Sequence, residues 1–229
     1  MKTTFLILIN KFATLVCKLF GRDGSVFPGS LVVPFDKNIL KKIKYPKYVI
    51  GVTGSSGKGS TTSLVAHVLN EAGYKVVWNK SGSNLINAAV TLILNNSTLF
   101  SHKLKCDVLL MELDESYIDQ IFDKGVLTHM VLTNITRDQP ARNGHPELIL
   151  EKIKKSIDPN LHLIINADDP FLNRFKYFHN GIITTYGIGK NKYSHNLKEN
   201  DSVDAQYCPL CFTKLKYSFY HYGHMGKYT

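Results

Sequence analysis

The stretch that most constrains this chain is a glycine-rich turn at residues 53–62, which read TGSSGKGSTT. The apolar, β-branched residues 48–52 before it are typical of a buried parallel strand. The apolar spacing of residues 63–69 after it is typical of a helix that ends near Gly73. The sequence therefore predicts a strand, a tight turn and a helix in direct succession.

The three glycines of this turn permit a phosphate-binding loop, in which backbone N–H groups face an anion at the start of the helix. Lys58 can then reach the terminal phosphates of a nucleotide, and Ser60 or Thr61 can offer a hydroxyl to Mg²⁺. The spacing departs from the common nucleotide-loop pattern, because Val52 stands where that pattern has its first glycine. The alternative interpretation is a glycine-rich turn with an incidental lysine.

Beyond the turn, strand-like apolar runs alternate with helix-like runs, and short polar loops separate them. This alternation predicts the α/β class, with a mostly parallel sheet covered by helices on both faces. At 229 residues the chain is long enough to bury a full core. The predicted strands cover residues 75–79, 106–111, 128–134, 161–165 and 182–187, and the predicted helices cover residues 85–94 and 147–157, with another that ends near residue 125.

Polar residues come at the end of four of the predicted strands or directly after them. The glycine-rich turn follows the strand at 48–52, Glu112 follows the strand at 106–111, Asn134 ends the strand at 128–134, and Asn166 follows the strand at 161–165. The carboxyl ends of parallel strands meet at one edge of a sheet, so we expect these residues to share one ligand-binding crevice. Ordinary strand-ending turns would explain one or two of these clusters, but they explain four poorly.

The chain carries a formal net charge of +10, with lysines clustered in residues 37–47 and 152–155. This excess suits nucleotide phosphates, an anionic lipid-linked substrate or an acidic membrane surface, and nucleic acid is the generic alternative. For any single lysine a solvated basic surface is the simplest interpretation. The four cysteines do not form a dense disulfide framework, which indicates a reducing compartment.

The first twenty residues contain an apolar run that polar and basic residues interrupt. The run is too broken for a transmembrane span, and no small-residue cleavage site follows it. It predicts an amphipathic helix that packs on the domain or touches a membrane surface, and a degraded signal peptide is the alternative. Residues 21–46 are rich in turn residues and are predicted to be a lead-in outside the core, with a short basic helix at residues 37–44.

Cys208 and Cys211 have the spacing of a zinc knuckle. Two cysteines do not fill a tetrahedral site, so His221 and His224, or ligands beyond residue 229, would have to complete it. A pair of reduced thiols in a turn is the alternative. An aromatic-rich strand is predicted to follow, over residues 215–222.

Together these motifs resemble the Mur ligase superfamily and, within it, the MurT branch, the ligase-like subunits of lipid II isoglutaminyl synthases. The resemblance covers nearly the whole chain. The cysteine pair, followed by Tyr222, His224 and Gly226, is its most specific part, because other Mur ligases lack a zinc ribbon at this point. Besides the glycine-rich turn, the motifs are GRDG at 21–24, FPG at 27–29, GSN at 82–84, ELDE at 112–115, TN at 133–134, RDQ at 137–139 and NADDP at 166–170.

The resemblance implies ATP-dependent activation of a stem-peptide carboxylate as an acyl phosphate, which ammonia then attacks. The D-glutamate of lipid II would become D-isoglutamine, and a GatD-like glutaminase subunit would supply the ammonia. Such a protein would work in the cytoplasm, at most peripherally on the inner face of the cell membrane, and would not bind nucleic acid.

The resemblance also implies roles for individual residues. Lys58 and Glu112 would be catalytic, Ser60 and Glu112 would hold Mg²⁺, and Cys208 and Cys211 would hold structural zinc. Metal and lysine are needed because acyl-phosphate formation brings two anions together. The implied ATP-binding residues are Gly54, Ser56, Gly57, Lys58, Gly59, Ser60, Thr61, Asn134, Asn166 and Asp169.

Three features depart from the MurT pattern or from that of other Mur ligases. Gly59-Ser60 after Lys58 is similar to folylpolyglutamate synthetases, so a ligase that adds glutamate is an alternative. Residues 140–145 differ from the leucine, aspartate, arginine and tyrosine of the family, and Ala141 lacks the acid of that loop. Gln139 stands where several Mur ligases have a metal-binding histidine, as it does in MurT.

The predicted organisation has three parts: an N-terminal helix and lead-in at 1–46, an ATP-binding domain at 47–206 and the start of a zinc ribbon at 207–229. The family continues with a second cysteine knuckle and a C-terminal domain, so we expect this chain to be an N-terminal portion of such a synthase. By itself it should bind MgATP weakly or not at all and make no amide. One alternative is a non-catalytic module that binds nucleotide or a partner. A nucleic-acid-binding zinc protein is another, resting only on charge and the cysteine pair.

Overall fold

The computed structural model describes residues 1–80, 85–136, 145–196, 205–208 and 210–229. In this part of the chain the sheet consists of β1 (Tyr48–Thr53), β2 (Val76–Trp78), β3 (Val108–Glu112), β4 (His129–Leu132), β5 (His162–Asn166) and β6 (Ile183–Tyr186). All neighbouring strands are parallel, in the order β2-β3-β1-β4-β5-β6. The predicted parallel α/β sheet is confirmed.

Helices cover both faces of this sheet. In the described residues they are α1 (Lys2–Leu19), α2 (Phe27–Val32), α3 (Lys58–Glu71), α4 (Ile86–Asn95), α5 (Ile118–Ile121), α6 (Pro146–Ser156), α7 (Pro170–Asn173) and α8 (Phe175–Phe178), with a 3-10 turn at Ile39–Lys42. The helix predicted to end near residue 125 is shorter than expected, because the chain is already extended at Phe122.

Alternate side chains of β1 point into two apolar cores. Val49 joins the larger core, which α1, α2, α4, α5 and α6 share. Val52 joins the smaller core and packs with Ala66 of α3. Because β1 lies between β3 and β4, the loops that leave these three strands meet at one edge of the sheet.

Residues 21–46 contribute to the core, so the prediction of a lead-in outside it is wrong. Val32, Ile39 and Leu40 are all buried. A Cβ atom on Gly29 would come 1.9 Å from the backbone oxygen of Asn87, so only glycine lets α2 lie this close to α4. Turn-forming residues concealed this packing in the sequence, because the proline and glycine lie inside a helix.

A second, two-stranded antiparallel sheet lies near the end of the described chain. It pairs β7 (Tyr217–Tyr222) with β8 (Met225–Tyr228). Gly223 makes the turn with a φ of 53°, which favours glycine. The predicted aromatic strand is present, whereas β8 was not predicted.

The N-terminal amphipathic helix is present as α1. Its buried side includes Leu6, Ile7 and Cys17, and it packs on α2 and α4. Among the described residues, no helix combines the length and the apolar content that a membrane crossing needs.

Candidate functional site

The glycine-rich turn lies at the carboxyl edge of the sheet, between β1 and α3. Gly54 has a φ of 132° and Gly57 a φ of 75°, both in the region that favours glycine. Gly57 is also the N-cap of α3, so no side chain caps the first turn of this 14-residue helix. The partial positive charge of the helix start is therefore free of a side-chain cap and suits an anion.

Lys58 is the first residue of α3, and its side chain folds back over the turn. Its Nζ donates to the backbone oxygens of Gly54 and Ser55, the second at 3.3 Å. The same Nζ lies 4.0 Å from Oε2 of Glu115. The ammonium group therefore lies over the loop. A nucleotide phosphate bound there would compete with these backbone oxygens for the ammonium group.

The chain after β4 holds the turn in place. Asn134 accepts a hydrogen bond from the backbone N–H of Ser56 at 3.0 Å and donates from Nδ2 to the oxygen of Ser56 at 3.1 Å. Thr133 donates from Oγ1 to the same oxygen at 2.8 Å. A Cβ atom on Gly54 would come 2.3 Å from Thr133 Oγ1, so the two segments approach too closely for another residue. Asn134 therefore shapes the loop, and a contact with nucleotide stays a prediction.

Glu112, the last residue of β3, lies against the start of α3. A Cβ atom on Gly59 would come 3.2 Å from Glu112 Oε2. Asn79 fixes the backbone of Glu112, accepting from its N–H at 2.8 Å and donating to its oxygen at 3.1 Å. Burial raises the pKa of Glu112, and the nearby charge of Lys58 opposes that rise.

Glu115 was not among the predicted site residues. Its side chain is 2% exposed, and its Oε2 has no hydrogen-bond partner among the described residues although it faces Lys58. The sequence signal that could have found it is its spacing, three residues after Glu112 in the turn that follows β3. Two carboxylates and one ammonium group thus converge beside the loop.

Two buried hydroxyl groups also lie at this edge without hydrogen-bond partners among the described residues, Oγ1 of Thr53 and Oγ1 of Thr136. An uncapped helix start, unpartnered oxygens and two buried carboxylates are the donor set that a magnesium–phosphate group requires. Ser60 is exposed on the first turn of α3, whereas the hydroxyl of Thr62 is taken up by the backbone of Lys58. The residues present therefore fit Mg²⁺ and a nucleotide phosphate.

Asn166 and Asp169, two of the implied ATP-binding residues, lie at the end of β5 and just after it. Asn166 donates from Nδ2 to the oxygen of Thr133 at 3.1 Å, and its Oδ1 accepts from the N–H of Asp168 at 3.0 Å. Asp169 is fully buried and accepts from the N–H groups of Ile135, at 2.7 Å, and Phe171, at 2.9 Å. Asp169 thus ties β4, β5 and α7 together, and its part in nucleotide binding stays a prediction.

The two cysteines and the two histidines suggested as zinc ligands do not come together. Cys211 Sγ lies 3.3 Å from Thr213 Oγ1, and hydrogen bonds from the side chain and backbone of Thr213 to the sulfur hold the pKa of Cys211 below its usual range. His224 is buried with Nε2 3.3 Å from Asp169 Oδ1, and His221 Nε2 lies 2.9 Å from the oxygen of Ile188. The described residues hold no group of three or more potential metal ligands. Completion of a zinc site by these histidines is therefore wrong, and zinc gains no support here.

Several predicted motifs lie outside the described residues. They are the GSN motif at 82–84, the RDQ motif at 137–139, most of the unusual loop, at 140–144, and one of the two residues between the cysteines, at 209.

The chain also matches a known protein family. Residues 52–228 match the family model of the Mur ligase middle domain. The chain belongs to the Mur ligase family. The predicted resemblance to this family is thus confirmed.

Among the Mur ligases, curated relatives match nearly the whole chain. The lipid II isoglutaminyl synthase (glutamine-hydrolyzing) subunit MurT of Staphylococcus aureus strain COL is 27% identical over 224 residues, which are 97% of this chain and 49% of that protein. The corresponding MurT subunit of Streptococcus pneumoniae strain R6 is 32% identical over 232 residues, covering 100% of this chain and 50% of that protein. The chain spans about half the length of the curated relatives it matches.

Solved Mur ligases share the fold. A UDP-N-acetylmuramoyl-L-alanyl-D-glutamate–2,6-diaminopimelate ligase gives a TM-score of 0.50 at 18% identity, covering 76% of this chain and 39% of that one. MurF from Thermotoga maritima, solved in complex with ADP, gives a TM-score of 0.50 at 21% identity, covering 75% and 40%. At these identities the likeness shows the fold alone.

Proposed function

We propose that this chain is the ATP-binding part of a Mur-type, ATP-dependent carbon–nitrogen ligase of peptidoglycan synthesis. The observation that carries the proposal is the convergence of the uncapped start of α3, Lys58 and the two buried carboxylates, Glu112 and Glu115, at one edge of the sheet. An anion-binding helix start beside acidic groups is the arrangement that metal-bound phosphate chemistry uses. The Mur ligase family membership supports this site as the place of that chemistry.

Each residue of the loop has a distinct part in this proposal. The N–H groups at the start of α3 and the Lys58 ammonium would hold the β- and γ-phosphates. Glu112 and Ser60 would hold Mg²⁺, which when bound neutralises phosphate charge. Lys58 would leave the loop oxygens for the phosphates, and Glu115 would keep the ammonium directed into the crevice because its carboxylate lies 4.0 Å away.

We further propose that the acceptor is the D-glutamate α-carboxylate of the lipid II stem peptide. A carboxylate oxygen would bond to the γ-phosphorus of ATP while the bond from that phosphorus to ADP breaks. Ammonia would then attack the acyl carbon and lose a proton, and inorganic phosphate would leave, giving an amide. The two MurT relatives are named as subunits of a glutamine-hydrolyzing lipid II isoglutaminyl synthase, which supports this choice.

The names of the same relatives also support the proposal of a partner subunit. Because they are named as subunits of a glutamine-hydrolyzing enzyme, we propose that this chain works with a GatD-like glutaminase that releases ammonia. A lipid-linked substrate and a nucleotide co-substrate together favour a cytoplasmic location at the inner face of the membrane.

The reaction class can be tested in a form that has the full length of the curated relatives. With MgATP, lipid II and either ammonium or glutamate as the amine, we expect ADP release and amide formation with ammonium. Conjugation of glutamate instead would favour the second candidate, a folylpolyglutamate-type ligase, which the Gly59-Ser60 pair after Lys58 suggests. ATP binding without either product would reduce the proposal to a nucleotide-binding module.

A further inference from the structure

The N-terminal helix α1 is apolar on two sides. One side packs on the domain, whereas the opposite side presents a stripe of large apolar side chains to solvent. Phe5 is 63% exposed, Phe12 68% and Leu19 76%. The stripe consists of Phe5, Leu8, Phe12, Leu15 and Leu19.

The stripe continues beyond the helix into a wider apolar band. Phe20 follows α1 directly, and Phe27 and Phe35 lie on and just after α2, which packs against α1. All three rings are more than half exposed. A group of large exposed apolar side chains on two packed helices marks an interaction site rather than ordinary surface.

The charge around this band is mostly positive. Residues 1–47 hold nine of the 28 lysines and arginines but two of the 18 aspartates and glutamates, so this stretch carries seven of the ten net positive charges. No acidic residue occurs in residues 1–22. Lys2 and Lys18 lie roughly a quarter-turn to either side of the stripe on the helix, where long side chains can extend along a surface.

We propose that α1 lies flat on an anionic lipid surface, with the apolar band in the acyl region and the flanking lysines at the headgroups. An apolar face between basic margins is the pattern of interfacial helices. Anionic lipids attract each nearby lysine or arginine, so the charge and the apolar band act together.

The charge also argues against a second copy of the chain as the occupant. The spacing of the stripe would suit a seam between two helices. However, pairing two copies through this face would bring two strongly basic surfaces together, and like charges disfavour that. The width of the band, which reaches α2, also exceeds a two-helix seam.

This inference goes beyond the proposed function, because it rests on the exposure and charge of residues 1–47 and not on the phosphate loop. Binding to vesicles and binding to nucleotide can therefore fail separately.

The test is cosedimentation of the 229-residue chain with vesicles of phosphatidylcholine, with and without phosphatidylglycerol. We expect binding that needs phosphatidylglycerol and weakens as salt rises. The double variant Leu15→Ser with Leu19→Ser should bind roughly tenfold more weakly or worse, because two apolar side chains no longer enter the lipid. The matched control is Leu64→Ser with Val68→Ser on α3, which removes two comparably exposed side chains, 64% and 57%, at the same spacing.

Circular dichroism of both variants checks that the fold is retained, which we expect because all four positions are exposed. Equal loss in the two variants, or equal binding to neutral and anionic vesicles, would overturn the proposal. So would sedimentation equilibrium that shows an oligomer which only the Leu15/Leu19 variant loses, since the band would then be a protein interface.

Discussion

At the scale of single residues, Lys58 and Glu115 show what the sequence reveals and what it conceals. The lysine could be predicted because glycines, strand and helix around it define its surroundings. The spacing of the glutamate after Glu112 is only a weak signal, because an acid in a turn is usually solvated, and it is the packing of the β3–α5 turn that leaves it 2% exposed beside the lysine.

If Glu115 positions Lys58, removing the Glu115 carboxylate should weaken MgATP binding only while Lys58 is present. We expect Glu115→Gln to weaken MgATP binding in the parent chain but to have little further effect in a Lys58→Ala background. A double-mutant cycle on nucleotide dissociation constants measures this coupling. Asp119→Asn, which removes an exposed carboxylate four residues along the chain, is the control and should change nothing. Additive effects of the two changes would refute the positioning role.

Gly54 offers a second residue-scale prediction, on stability. Gly54→Ala places a Cβ atom 2.3 Å from Thr133 Oγ1 and 2.8 Å from the oxygen of Asn134. Gly73→Ala is the matched control, because Gly73 also has a positive φ, of 84°, but has open space around it. We expect Gly73→Ala to cost about 1 kcal/mol from backbone strain, and Gly54→Ala about 2 kcal/mol more from overpacking. Urea unfolding measures both, and equal losses would mean that the loop is not held by the segment after β4.

At the scale of elements, the strands were predictable and the irregular segments were not. Buried parallel strands are continuous apolar runs, so β1 and β3 stand out in the sequence. The packing of α2 on α4 depends on a contact between residues 29 and 87, which no local pattern contains. The hairpin of β7 and β8 likewise joins the domain through distant contacts, such as the hydrogen bond from Gly226 N to the oxygen of Asp168 at 3.0 Å.

The amino ends of β4 and β5 carry a histidine pair that gives a pH prediction. His129 and His162 lie with ring centroids 4.9 Å apart, and burial together with His162 lowers the pKa of His129. The unfolded chain therefore takes up a proton at the ordinary pKa of about 6.5, before the folded chain does. The contribution of His129 to stability is then present above that pH and is lost as pH falls through the lowered pKa.

We therefore expect His129→Gln to flatten the loss of unfolding free energy between neutral pH and mildly acidic pH. His67→Gln, at an exposed position on α3, is the control and should leave the slope as it is. Denaturant unfolding at a series of pH values measures the slopes. An unchanged slope in the His129 variant would show that the histidine pair does not contribute to the pH dependence of the unfolding free energy.

At the scale of the whole molecule, the order of the strands brings together residues that the sequence predicts to share one site. Four polar strand ends were predicted to share one crevice, and the order of the strands brings the loop, Glu112 and Asn134 to one edge. The hydrogen bonds that Asn134 and Asp169 make could not be predicted. Both satisfy backbone groups of neighbouring segments, and such pairings depend on the three-dimensional path of loops that sequence patterns do not encode.

The proposed chemistry requires that this edge of the sheet bind a magnesium–nucleotide phosphate. The most direct measurement is a MgATP titration of the 229-residue chain, followed through the fluorescence of its single tryptophan, Trp78, which neighbours the Asn79 that holds Glu112. We expect weak, saturable, magnesium-dependent binding, and a loss of about 2 kcal/mol, roughly thirtyfold in Kd, in Lys58→Ala. The sequence alone also allowed for no binding, but the loop and its neighbouring side chains are already in place in this structure. No binding at saturating nucleotide by fluorescence and by calorimetry, or equal binding by the Lys58→Ala variant, would therefore contradict the proposed site.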